Sequence, residues 1–294
     1  MTEIAPKQLY GFMAVGFLVW SLTIGTASAD VITIPQSALI PSTTYYTDSI
    51  GGGIGPEVEW NGGVPRSSDP VRNDDAYRGP LPLGFSLSFF GNTYTEYFLN
   101  NNGNISFDDG IPAFTPTGPQ GAAEAIISPF FADVDTRNLS SGVAHLRTDI
   151  PNQLIVTWDQ VGYFSSHADK LNSFQLVVRG PDYAIPAGEG RIGFFYKTMQ
   201  WETGDASDGA GGFGGTPAAV GFGDGLSNGN VLAGSIGDGI SGVVNNHHIW
   251  FDVGDEEGPV VTPPINGAIP EPASLILLGS GLAALAAWRF WKQA

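Results

Sequence analysis

Glycine and proline interrupt this chain every several residues, 41 and 21 of them in 294, and that spacing leaves little room for helix. An interior proline removes a helical hydrogen bond, and an interior glycine costs backbone entropy. Between the breaks, apolar residues recur with a period of two, as in half-buried strands. Residues 87–90 form an apolar strand, Gly91-Asn92 turns it and 94–99 returns. Asn100-Asn101-Asn102-Gly103 is a second turn, because Asn and Gly tolerate positive φ. Residues 104–107 follow, with Ile105 and Phe107 on one face. Leu154, Val156 and Trp158 share a face, as do Phe174, Leu176 and Val178, opposite Gln175, Val177 and Arg179. Ile192, Phe194 and Tyr196 align; 218–222 and 247–253, with Ile249, Phe251 and Val253 on one face, complete the set. Only 121–126 looks helical, and briefly. The expected fold is all-β: a β-sandwich-like single domain with long Gly-rich loops at 51–63 and 204–215.

Both ends differ from this core. Lys7, the apolar run 9–24 and the small-residue site Ala27-Ser28-Ala29 read as a secretory signal helix cut before Asp30 by signal peptidase. At the other end Pro270-Glu271-Pro272 precedes an uncharged apolar run, 273–288, followed by Arg289 and Lys292. Sixteen residues reach roughly 24 Å as a helix, against about 30 Å of bilayer hydrocarbon. Such a short membrane helix suits transient anchoring, its two cations held on the cytoplasmic side. The tail resembles the PEP-CTERM sorting signal of Gram-negative bacteria, which implies recognition and removal by the membrane protease-transpeptidase exosortase. The terminal basic cluster is sparser here than is usual in that family. The expected route is therefore export, passage through the inner membrane, then the cell surface or extracellular matrix.

The division that follows is a signal peptide (1–29), an N-terminal extension that could pack on the domain (30–72), the β domain (73–254), a Pro-rich linker (255–269) and the sorting tail (270–294). The chain has no cysteine, so its stability rests on its core without disulfides. Residues 30–269 hold 27 acidic against 9 basic side chains. A field of that sign repels phosphate backbones and excludes nucleic acid as a partner class. It suits solubility outside the cytoplasm, and equally calcium, cationic surfaces or neutral glycans.

Several core segments resemble the nidogen-like (NIDO) domain: Leu83-Gly84-Phe85, Phe89-Phe90-Gly91, 98–107 and above all 127–137, Ile-Ser-Pro-Phe-Phe-Ala-Asp-Val-Asp-Thr-Arg. Trp158, 172–176, Trp201 and 219–222 continue in the family's order. The likeness covers roughly 73–253. It implies an extracellular domain associated with matrix and cell adhesion, with no catalytic role, and its residues carry over as fold and not as a site.

Candidate chemistry is sparse. Asp133 and Asp135, two apart on an extended chain, put both carboxylates on one side and are the metal candidates, with calcium as the ion. They lack the further spaced ligands of an EF-hand. The plainer role is capping backbone donors at a bend, with Arg137 as ion partner, so no cofactor is expected and the core should stand without metal. Asp205 and Asp208 read as loop acids. Residues 225–229 match G-x-S-x-G and 237–242 match G-x-G-x-x-G, but neither is followed by a helical pattern, and both are rejected as a nucleophile elbow and a dinucleotide loop. His247 and His248 fall on opposite strand faces, and His145 and His167 stand apart. Tyr45, Tyr46, Tyr163, Phe164 and Trp201 could stack on sugars if exposed. The expectation is a non-enzymatic adhesion or structural protein of the envelope exterior or of the exopolysaccharide matrix of a biofilm. The alternatives are a carbohydrate-binding module of that matrix and a secreted hydrolase.

Overall fold

The computed structural model describes residues 30–63, 67–254 and 257–263. Its strands in chain order are β1 (Val31–Ile34), β2 (Ile40–Pro41), β3 (Gly62–Gly63), β4 (Ala76–Phe89), β5 (Asn92–Asn100), β6 (Asn104–Ser106), β7 (Ala125–Phe131) and β8 (Ala144–Arg147). Then come β9 (Gln153–Tyr163), β10 (His167–Arg179), β11 (Ile192–Thr198), β12 (Ala219–Asp224), β13 (Gly229–Leu232), β14 (His247–Asp252) and β15 (Val260–Val261). Two short helices, α1 (Tyr46–Ile50) and α2 (Ile240–Val244), interrupt them. The chain is thus predominantly β, as its punctuation requires.

The strands form two open sheets. One runs β1-β13-β12-β7-β6-β5-β4-β3; the other runs β15-β14-β11-β10-β9-β8, with β2 beside β14. Pairing is antiparallel except where β1 joins β13. The alternation read from the sequence sorts the inner faces: Leu154, Val156, Trp158, Phe174, Leu176, Val178, Phe194 and Phe251 all enter one core. Rings meet across the two sheets, Phe194 stacking on Phe222 at 5.1 Å between centroids and Phe130 lying 5.5 Å from Phe174.

The opposite face of the second sheet is covered too. Tyr46 of α1 packs with Ile155, Val177, Phe195 and Trp250. Its amide donates to Gln175 Oε1 at 3.0 Å. Arg179, fully buried, lies over Tyr46, Tyr183 and Trp250 at 4.3–4.9 Å from their centroids. Its guanidinium donates to Gln153, Glu189 and the Gly190 carbonyl, which replaces the water it loses. The first residues after Asp30 therefore belong to both sheets.

Two local readings change. The helical stretch expected at 121–126 is a single 3-10 turn, Pro119–Gly121, followed by β7 from Ala125. The run Ala125-Ile126-Ile127 pairs with β6 and β12, and sheet hydrogen bonds outweigh the weak local helix preference. Conversely β4 extends back to Ala76 through Pro80 and Pro82. Those prolines are tolerated because β3 pairs with β4 only at Ala76 and Tyr77, so few ladder donors are needed on that side. The signal segment and the sorting tail, with the expected membrane helix, lie outside the described residues. Among the described residues no helix is long and apolar enough to cross a membrane.

The turn between β5 and β6 is a tight joint. Gly103 has φ +80°, and a Cβ there would stand 1.9 Å from the Phe130 carbonyl oxygen. Gly103→Ala should destabilise the fold by about 2 kcal/mol or more, since left-handed strain and a backbone clash add. Urea unfolding followed by tryptophan fluorescence checks this; an unchanged midpoint would contradict it.

Candidate functional site

In the antiparallel meander β4-β5-β6-β7, the start of β4, the β5–β6 turn and the end of β7 fall at the same rim. That geometry gathers residues far apart in sequence. Asp74 and Asp75 precede β4, and Asp133 follows β7. Their carboxylates offer three oxygens within 4.8 Å of one another. The asparagine turn stitches the rim together. Asn101 Nδ2 donates to the carbonyls of Asp74 and Val134. Asn102 Nδ2 donates to Asp75 Oδ1 at 3.0 Å, while its Oδ1 accepts the Val134 amide at 2.9 Å. Trp158 Nε1, from the other sheet, donates to the Asn101 carbonyl at 3.0 Å.

The two acids singled out from the sequence do different work. Asp135 is the capping residue: it accepts the Arg137 amide and Nε at 2.9 Å and the Ser166 amide at 2.7 Å. Arg137 also reaches Asp74 Oδ2 at 3.0 Å. Asp133 was expected to cap as well and does not. It is 1 % exposed, and neither of its oxygens has a hydrogen-bond partner; Asp74 Oδ1 is likewise alone. Gly204 lies against Asp133 so closely that a Cβ would stand 2.3 Å from Oδ2. Burial, then the charges of Asp74, Asp75 and Asp135, push the Asp133 carboxyl up to about 8, against a slight opposing pull from the Ala206 amide. Burial, then Asp135 and Asp75, push Asp74 up to about 7 despite Arg137. Burial raises Asp75 as well, with the Asn102 amide opposing. Four carboxylates thus crowd this rim, and Arg137 pairs with only two of them, Asp74 and Asp135.

Asp74 and Asp75 are the residues that sequence reasoning misses. Their only local signal is an acidic pair directly before a strand, and the partner lies 58 positions on, brought near by the meander alone.

The remaining candidates disperse. Tyr45, Tyr46, Tyr163 and Trp201 are buried, and of the five aromatics only Phe164 is partly exposed, 5.6 Å from Arg137. That removes the sugar-stacking platform. The G-x-S-x-G stretch is a turn closed by Asp224 Oδ1, which accepts the amides of Leu226, Ser227 and Asn228 at 2.8–3.0 Å, and a strand follows it. After Gly239 a helix does form, although no helical pattern was read there, but α2 is five residues long. Glu202 occupies its amino end, accepting the Gly239 and Ser241 amides at 2.8 and 3.0 Å, where a phosphate would have to bind. His247 contacts the Asn245 carbonyl, His248 stacks on Phe195, His145 meets the Gly55 carbonyl and His167 pairs with Asp205 at 2.9 Å. No two histidines share a site among these contacts. Ala27, Ala29, Pro270, Glu271, Pro272, Arg289 and Lys292 lie outside the described residues.

The raised carboxyls carry a pH consequence. A carboxyl whose pKa is higher folded than unfolded binds more protons in the folded state, so the contribution of Asp74 and Asp133 to stability is fullest below about pH 4 and is lost as pH rises toward 8. In chelator, the melting temperature should therefore fall between pH 5 and pH 8. Asp133→Asn should flatten that slope; an equal slope in the variant would show that the cluster is not its source.

Comparison with known proteins places this architecture. The NIDO-related family model matches residues 61–239, and the PEP-CTERM protein-sorting motif matches 268–292. Mouse alpha-tectorin is 31% identical over 190 residues, 55% of this chain and 8% of that protein. Chicken alpha-tectorin is 28% identical over 200 residues, 58% of this chain and 9% of its own length. Drosophila nidogen is 26% identical over 123 residues, 33% of this chain and 9% of that protein. The chain thus spans less than a tenth of the length of these relatives. No solved structure matches it significantly. A NIDO-related core combined with this sorting motif marks an exported extracellular protein sorted by exosortase.

Proposed function

The chain belongs to the NIDO-related family, and from that premise we propose that it is a non-enzymatic adhesive or structural protein of the bacterial envelope exterior or exopolysaccharide matrix. The observation that carries the reading is the pairing of this core with the sorting motif at 268–292, which directs it outward. Signal peptidase would release Asp30, and exosortase would act at Pro270-Glu271-Pro272 after a transient stay in the inner membrane. Residues 73–254 would form the β-sandwich-like domain, 30–72 would pack on it and 255–269 would space it from the tail. Function then lies in surface complementarity to matrix or exopolysaccharide. Two observations support this over the alternatives: the motifs that resemble enzyme loops are closed by internal caps, and of the aromatics available for sugar stacking all but Phe164 are buried. The carbohydrate-binding and hydrolase alternatives have no comparable support.

Pro270 and Pro272 resist continuing a helix outward, so the segment should stay open to a protease at the membrane face. In a host with exosortase, intact-mass analysis should find Asp30 at the amino end and no terminal tryptophans, with the protein in surface or medium fractions. Glu271→Ala should leave protein with the tail retained in the inner membrane. Wild-type protein that keeps Lys292 and stays in that membrane would make this an ordinary tail anchor.

A further inference from the structure

Among the described residues, eleven buried side-chain polar atoms lack a hydrogen-bond partner. Five of them belong to one corner: both oxygens of Asp133, Asp74 Oδ1, Asn101 Oδ1 and Thr203 Oγ1. Asn101 donates to the Asp74 and Val134 carbonyls, and Thr203 directly precedes the Gly204 that seats Asp133. All five are oxygens. Buried oxygens without donors are costly, and a concentration of them needs a positive partner. Among the described residues Arg137 is the only guanidinium paired with the cluster, and it is already divided between Asp135 and Asp74. Asp133 has no hydrogen-bonded partner, and only the Ala206 amide pulls weakly on it.

We propose that Asp74, Asp75 and Asp133 bind one calcium ion at this rim. The ligand atoms are hard oxygens with no histidine among them, which favours calcium over zinc. Three carboxylates from a preformed protein cage suit calcium's larger, flexible shell; magnesium would keep most of its water. Asp75 is only partly buried and leaves an entry from solvent, while Asp133 forms the closed back of the site. The Asn101–Asn102 turn holds the two acidic segments at the spacing the ion needs, so binding would lock the β4, β6 and β7 ends together. Calcium would then stiffen this rim of the domain. This goes beyond the sorting and matrix reading and does not depend on it.

The test uses the full-length protein in mild detergent, stripped with chelator and titrated with calcium chloride or magnesium chloride at pH 7.5. Calorimetry should show one saturable calcium per chain and at least tenfold weaker magnesium binding. Calcium at a hundred times its dissociation constant should raise the melting temperature by roughly 5–10 °C. Asp133→Asn should abolish both effects. Asp75→Asn, at the open edge, should fold and weaken calcium at least tenfold, so the test stands even if Asp133→Asn does not fold. No saturable binding, with a melting temperature unmoved by calcium, would overturn the site and leave protonated carboxyls there. Binding that survives Asp75→Asn at full strength would assign it to the acidic surface and equally overturn the proposal.

Discussion

The turn of buried asparagines between β5 and β6 is the joint on which the two sheets close. Asn100, Asn101, Asn102 and Asn104 are each at most 1 % exposed. Loops at a sheet rim carry backbone groups that strands would otherwise satisfy, and a buried rim needs substitutes. The amides supply them: Asn100 serves Asn104, Ser106 and the Ile111 amide, Asn101 ties the Asp74 and Val134 carbonyls, and Asn102 ties Asp75 and the Val134 amide. Trp158 then fixes this turn to the second sheet through its indole nitrogen. Removing one amide would orphan several buried groups at once, which costs more than the bond itself.

That joint explains why acids can be buried beside it. A rim satisfied by neutral amides holds its shape without the carboxylates, so Asp133 is free of structural duty while Asp135 performs it. Keeping Asp74, Asp75 and Asp133 charged and close is unfavourable for the empty fold, and the raised pKa values of Asp133 and Asp74 express that cost. Stability given up in one place, where buried oxygens stand without donors, is the pattern expected of a binding site.

The outer face of the second sheet tells a different story. There Arg179 and three aromatic rings, with α1 across them, convert a surface that could have been sticky into a second small core. Adhesion, on the proposed function, must use other surfaces, such as the loops carrying Leu139, Phe213 and Leu226, whose side chains are exposed.

The amino-acid order by itself determined the strand faces and the expected destination. A period of two allows one assignment of Phe174, Leu176 and Val178 to the core, and the structure follows it. The signal-like start and the PEP tail are local patterns, legible without a fold. What the sequence concealed is non-local. The strand through Pro80 and Pro82 depends on how little β3 pairs with it; the strand at Ala125 depends on neighbours that override local preference; and the burial of Tyr46 and Trp201 depends on what covers them. The carboxylate cluster is the clearest case. Asp133 could be singled out from its neighbours, but its partners could not, because only the hydrogen-bonded order β4-β5-β6-β7 brings Asp74 and Asp75 to the same rim. Local patterning sets which way a side chain points; tertiary closure alone decides which side chains meet.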